Sequence, residues 1–150
     1  LAIREINKED EGKSTREPID LVINSFGGDV YAGFGLVDII QLSETPIHVT
    51  ATGRVMSMAL PIFSVGHKRI ATERTTFMYH ELLWDTAAEK LKYHRQEVKE
   101  AERMQQMIDD ILVEHTSMTQ KQLDKVKAEN REWYMDAEEA MKSGIVDEII

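Results

Sequence analysis

The run Gly53-Arg54-Val55-Met56-Ser57-Met58-Ala59-Leu60 sets a single serine between a strand-like segment and an apolar helical one. A helix start presents unpaired backbone N–H groups and the positive end of the helix dipole. A serine there has a hydroxyl to attack a carbonyl carbon, and the N–H of the next residue, Met58, is placed to hold the resulting oxyanion. The same position is also an ordinary helix N-cap, where serine is common. Upstream, Ser25-Phe26-Gly27-Gly28 carries a glycine pair. It allows positive φ and close approach of a backbone N–H to a ligand, or simply turns a strand into a helix. Downstream, Phe77-Met78-Tyr79-His80 ends on an imidazole able to accept the serine's proton. A backbone-bonded, partly buried histidine reads the same way, and His48, His67, His94 and His115 offer the same group. Neither G-x-G-x-x-G nor GK[ST] occurs, so no dinucleotide or phosphate loop is indicated; Gly33-Phe34-Gly35 lacks the third glycine. Glu81 and the pair Asp109-Asp110 have no metal-like partners and read as solvated acids.

The elements that must position these groups follow from periodicity. Leu1 to Ile6 reads as the last turns of a helix and residues 7–18 as an exposed loop. Ile19 to Asn24 is a β-branched apolar run suited to a buried parallel strand, broken by Gly27-Gly28. Val30 to Leu42 has helical spacing, and Pro46 ends the connection. Ile47 to Thr52 predicts a second strand closed by Gly53, and the Ser57 helix runs to about Val65 before Gly66. Lys68 to Ala71 and Thr76 to His80 predict two more strands. The β-α-β-α-β order implies a parallel sheet with right-handed crossovers. From Thr86 to His115 there is no Gly or Pro, and a narrow apolar stripe runs through Val98, Ala101, Met104 or Gln105, Ile108, Ile111 or Leu112, and His115. A helix of about 30 residues reaches roughly 45 Å. That is more than a domain of this size covers, so part of it is expected to project and pack on another subunit. Thr119 with Gln122 and Asp136 with Glu139 form capping boxes for two shorter helices, the second ending at Gly144 before a strand-like Ile145 to Ile150.

The chain has 150 residues, enough for one domain with a real core. Its formal charge of −9 and the lack of a basic stripe argue against nucleic acid and anionic lipid as partners. It contains no cysteine, which excludes disulfides and Cys-based zinc sites and is compatible with a cytoplasmic location. The apolar stretch from Val55 to Val65 is too short to cross a bilayer, which takes about 20 residues. The chain begins at Leu1 rather than Met, as a fragment or processed form would.

Taken together in order and spacing, these segments closely resemble the proteolytic subunit of the Clp protease. Ile23-Asn24-Ser25-Phe26-Gly27-Gly28 is similar to that family's INSPGG, Gly53 to Met58 to its G-Q-A-A-S-M, and Met78-Tyr79-His80 to its M-I-H. Ala137-Glu138-Glu139-Ala140 followed by Ser143-Gly144-Ile145-Val146-Asp147 is similar to its closing A-E-E-A…YGLVD. The resemblance runs from about Pro18 to the C-terminus and covers a single domain. It implies an α/β spiral of βαβ units, as in the Clp and crotonase families, with a mostly parallel sheet and a long handle helix. It implies a serine endopeptidase acting on unfolded polypeptides, with Ser57 as nucleophile, His80 as general base, and the N–H groups of Gly28 and Met58 as oxyanion donors. Gly27 and Phe26 fall in the substrate-binding segment. Where the family has an aspartate in E-R-D, this chain has Asn130-Arg131-Glu132, so Glu132 takes the third place of the triad. The family implies a homo-oligomeric, heptameric ring, an ATP-driven AAA+ unfoldase as partner, and no metal or organic cofactor.

The chain departs from the pattern in ways that bear on function. Phe26 replaces a proline, and Arg54-Val55-Met56 replaces smaller residues, which reshapes the substrate groove. After His80 the family's Gln-Pro and glycine-rich stretch is replaced by Glu81-Leu82-Leu83-Trp84-Asp85, which puts the pairing of two rings in question. The family's first strand, first helix and axial segment have no counterpart in the sequence. Two other readings follow: a ring subunit that has lost peptidase activity and serves assembly, and a crotonase-type reaction on the same fold.

Overall fold

The computed structural model describes residues 2–84 and 91–150. Its elements, in chain order, are α1 (Ala2–Glu9), β1 (Ile19–Ser25), α2 (Val30–Gln41), β2 (Ile47–Met56), α3 (Ala59–Ser64), β3 (Lys68–Ala71), β4 (Thr76–Tyr79), α4 (Leu91–His115), α5 (Gln120–Ala128), β5 (Trp133–Met135), α6 (Ala137–Lys142) and β6 (Glu148–Ile149). Five of the six strands are joined by parallel pairings, β1 and β3 to β2, β4 to β2, and β6 to β3. The expected α/β architecture with a mostly parallel sheet and a long helix is what the chain adopts. The exception is β5, which pairs antiparallel to β4 through Phe77↔Met135 and Tyr79↔Trp133. No periodicity announces a strand of three residues.

The alternating pattern of β2 buries Ile47, Val49, Ala51 and Val55 on one face. They share one buried cluster with Ile40 of α2, Leu60 and Phe63 of α3, Leu112 of α4 and Leu123 of α5, all fully buried. The Phe63 and Phe77 rings meet at 5.4 Å with a 56° tilt, joining α3 to β4. Each such side chain contributes about 1.5–3 kcal/mol on burial. This core fixes where the ends of β1, β2 and β4 lie, and the functional groups sit at those ends.

Gly53 does not close β2. The strand changes partner there, pairing β3 through His48–Ala51 and β4 through Arg54–Met56, with a register break against β1 between Ile23 and Ser25. Hydrogen bonding to neighbours on both sides carries the strand through the glycine. The helix of the Ser57 segment therefore begins only at Ala59, and Ser57 lies in the turn before it rather than at its N-cap. The two capping boxes form as expected, Thr119 with Gln122 and Asp136 with Glu139. The strand expected from Ile145 to Ile150 is confined to Glu148–Ile149, after Ile145 and Val146 are drawn into the core.

The long helix spans Leu91–His115, about 37 Å. Residues 86–90, where it was expected to start, lie outside the described residues. Its buried side chains are Met104, Ile108, Asp109 and Leu112, whereas Leu91, Tyr93 and Val98 are exposed. The N-terminal half thus stands off the core, and the expected stripe is covered only from Met104 onward.

Candidate active site

Ser57 occupies the left-handed region at φ 53°, an uncommon conformation for a non-glycine residue. Its backbone is fixed on both sides. The Ser57 N–H donates to the Met78 carbonyl of β4 at 2.9 Å, and the Ser57 carbonyl accepts from the Leu60 N–H of α3 at 2.9 Å. This sharp strand-to-helix turn projects the hydroxyl toward the C-terminal end of β4. His80 follows that strand directly, and its Nε2 lies 2.8 Å from Ser57 Oγ. Two residues 23 positions apart are in hydrogen-bond contact because β2 and β4 are paired with Met56 opposite Met78.

The glycine segment crosses the same turn. A Cβ on Gly27 would lie 2.7 Å from Ser57 Cβ, 2.8 Å from the Met56 carbonyl and 2.9 Å from the Met58 nitrogen, so only glycine allows this approach. Gly27 and Gly28 both have positive φ, 97° and 148°. Among the described residues, the backbone N–H groups of Gly28 and Met58 donate no hydrogen bond to the protein, whereas that of Gly27 is held by Ser25 Oγ at 3.1 Å. Two unpaired donors therefore remain beside the Ser57 turn. Asp29 caps α2 immediately after, accepting from the Ala32 N–H at 2.7 Å, which sets the path of the segment. Gly33 of α2, not singled out by sequence as a site feature, makes room for the Met58 side chain, whose Cγ would lie 2.3 Å from any Cβ there.

A small apolar recess adjoins Ser57 and His80, walled by Val30, Met58, Tyr79, Leu82 and Ile108. On its other side His80 borders a cleft of about 250 Å³ that Glu132 and Asn130 also line. The Glu132 side chain is exposed, and its carboxylate accepts a 2.6 Å hydrogen bond from the Tyr134 hydroxyl. No hydrogen bond joins Glu132 to His80 among the described residues. The bond to Glu132 holds the Tyr134 phenol above its ordinary range. Phe26 is exposed, and the Arg54 guanidinium stacks 3.9 Å over its ring centroid.

Asp109 is not the solvated acid its sequence suggests. It is fully buried on α4, with a salt bridge to Lys127 and a 2.7 Å hydrogen bond from the Tyr79 hydroxyl. The physical reason is its position: Asp109 follows Ile108 on the inward face of the helix, and α5 brings a cation to meet it. The available signal was that inward placement, one residue past Ile108 and four past Gln105. Glu81, by contrast, is exposed as expected.

The sequence profile of the family described as Clp protease matches residues 10–150. The chain is 31% identical over 142 residues to ATP-dependent Clp protease proteolytic subunit 3 of Synechococcus sp. (strain CC9902), covering 93% of this chain and 70% of that one. It is 30% identical, with the same coverage, to ATP-dependent Clp protease proteolytic subunit 2 of Prochlorococcus marinus (strain NATL2A). The structure of a ClpP1 mutant from Listeria monocytogenes superposes with a TM-score of 0.77 at 29% identity, over 99% of this chain and 84% of that chain. No helix among the described residues is long and apolar enough to cross a membrane. Agreement of profile, sequence and fold over nearly the whole chain makes this protein a member of the Clp protease family.

Proposed function

We propose that the chain is the proteolytic subunit of a Clp-type protease and hydrolyses peptide bonds of unfolded polypeptides through Ser57. The observation that carries this reading is the 2.8 Å contact between Ser57 Oγ and His80 Nε2 at a left-handed turn. With Nε2 unprotonated, the Ser57 hydroxyl donates to it. As Oγ bonds to the carbonyl carbon, its proton passes to Nε2. The carbonyl oxygen takes up the electron pair and is held by the N–H groups of Gly28 and Met58, each such donor supplying about 3–4 kcal/mol of transition-state stabilisation. Collapse of this intermediate breaks the C–N bond, and the imidazolium returns its proton to the leaving amine. Water, deprotonated by His80, then releases the acyl group.

The recess walled by Val30, Met58, Leu82 and Ile108 holds only about 20 Å³, so it borders the cleaved bond without taking up a substrate side chain. Gly27 and Phe26 border an extended substrate on the other side, which pairs as an added strand. Glu132 is the acid that orients His80; in this role its carboxylate leaves Tyr134 and reaches the imidazole through the shared cleft. In this proposal the chain assembles into a heptameric ring fed by an AAA+ unfoldase, packs the exposed half of α4 on a neighbouring subunit, and works in the cytoplasm without a metal or organic cofactor.

A fluorophosphonate probe tests the chemistry. Labelling that is lost in Ser57→Ala and falls at least 100-fold in His80→Ala supports it. The engagement of Glu132 by Tyr134 favours a second reading, a ring subunit that assembles without cleaving. Correctly assembled protein that takes up no probe would establish that reading instead.

A further inference from the structure

We propose that Asp109 is a positioning residue for this site, holding His80 from both chain directions through Tyr79 and Gln105. The inference rests on the reading of Ser57 and His80 as the reacting pair. β4 ends at Tyr79, and residues 80–84 belong to no helix or strand. No backbone ladder therefore positions the imidazole, and side chains do so instead.

The residue before His80 is tied first. The Tyr79 side chain is buried, and its hydroxyl donates to Asp109 Oδ1 at 2.7 Å. The chain after His80 is tied by Gln105, whose Oε1 accepts from the Leu82 N–H at 2.6 Å. The same carboxamide donates through Nε2 to Asp109 Oδ1 at 2.8 Å and to the Tyr79 oxygen at 3.2 Å. Both clamps on the His80 segment thus converge on one carboxylate oxygen. The other oxygen, Oδ2, faces α5, accepting from Gln120 Nε2 at 3.0 Å and from Lys127. Lys127 stands three residues before Asn130, at the entry to the segment that carries Glu132.

Packing alone does not call for this arrangement. A buried carboxylate–ammonium pair is often replaceable by apolar side chains without loss of stability. What an apolar cluster cannot supply is direction: each hydrogen bond fixes an angle and a distance. Burial, then the Asp109 bond, pushes the Tyr79 phenol above its ordinary range, so it stays a donor. The network joins α4, α5 and the His80 segment, and sets the imidazole's approach to Ser57 Oγ.

The test uses the full chain in its native assembly, with Tyr79→Phe and Gln105→Met, and two readouts. The first is the fluorophosphonate labelling rate. The second is the ¹³C-histidine NMR signal of His80, assigned by His80→Gln, which reports ring position without requiring activity. We expect each variant to retain a melting temperature within about 3 °C of the parent, to label at least 5-fold more slowly, and to move or broaden the His80 resonance. Loss of protection of the Leu82 amide from hydrogen exchange in Gln105→Met accompanies this. If the His80 signal is unchanged in both variants, the positioning role is overturned, whatever the labelling rate. If the parent takes up no probe while the His80 signal moves in the variants, positioning stands and the peptidase reading fails.

Discussion

The Tyr134 hydroxyl and the Glu132 carboxylate are joined at 2.6 Å, two residues apart on the same side of an extended segment. The bond occupies the acid proposed above to orient His80. Removing it is a direct probe of that acid's role. Tyr134→Phe is expected to raise kcat/KM for a fluorogenic peptide by 2- to 10-fold, about 0.4–1.4 kcal/mol. Adding Glu132→Gln is expected to cancel the gain. A Tyr134→Phe protein no faster than the parent would remove Glu132 from the mechanism.

Gly27→Ala should abolish both labelling and turnover while lowering stability. The new methyl would sit 2.7 Å from Ser57 Cβ and 2.9 Å from the Met58 nitrogen, at φ 97°. The conformational strain alone costs about 1–2 kcal/mol, and relief requires the Ser57 turn to move. Urea denaturation measures the first effect and probe labelling the second.

Lys127→Met leaves the fully buried Asp109 without its cation. An orphaned buried charge of this kind costs about 3–5 kcal/mol. Because the Lys127 side chain is 18% exposed, the low end applies. Adding Asp109→Asn removes the stranded charge but keeps an acceptor for Tyr79, so the double variant should recover more than half the loss. Chemical denaturation of the three proteins decides this. Burial works against charge on Lys127, but hydrogen bonds to Asp109 and Asp124 outweigh it and raise its pKa above 10.5. The pair's contribution is accordingly complete below pH 10.5 and fades as pH rises through the raised value.

Glu100 of α4 links the projecting helix to α2, accepting from the Tyr31 hydroxyl at 3.1 Å. Its bond from Arg103, with that from Tyr31, holds its pKa down to about 2 against an ordinary 4.5. A depressed folded-state pKa gives stability that is present above pH 4.5 and lost as pH falls toward 2. The melting temperature of Glu100→Gln should therefore depend less on pH than that of the parent between 4.5 and 2. Parallel melting curves for the two proteins across that window would contradict the link.

Features set by neighbours along the chain were legible in advance. The Thr119–Gln122 and Asp136–Glu139 boxes depend on residues three apart, and both form. The β-α-β-α-β order follows from periodicities of two and 3.6 and needs no knowledge of partners. Gly53 misled because a glycine ends a strand only when no neighbour holds it, and β2 has β4 and β1 beside it there. Asp109 misled because an isolated carboxylate belongs in water, and the cation that offsets its burial comes from another helix, 18 residues on.

The amino-acid sequence by itself determined most of the elements and their order, β5 excepted, and which few residues carry a hydroxyl, an imidazole and close-approaching glycines. Tertiary structure decided the rest: the left-handed turn at Ser57, its 2.8 Å approach to His80, the partner that Glu132 holds, and the burial of Asp109. The physical reason is range. Capping and periodicity act within one turn of chain, whereas a hydrogen bond between distant residues exists only once strand pairing and core packing have brought their backbones together.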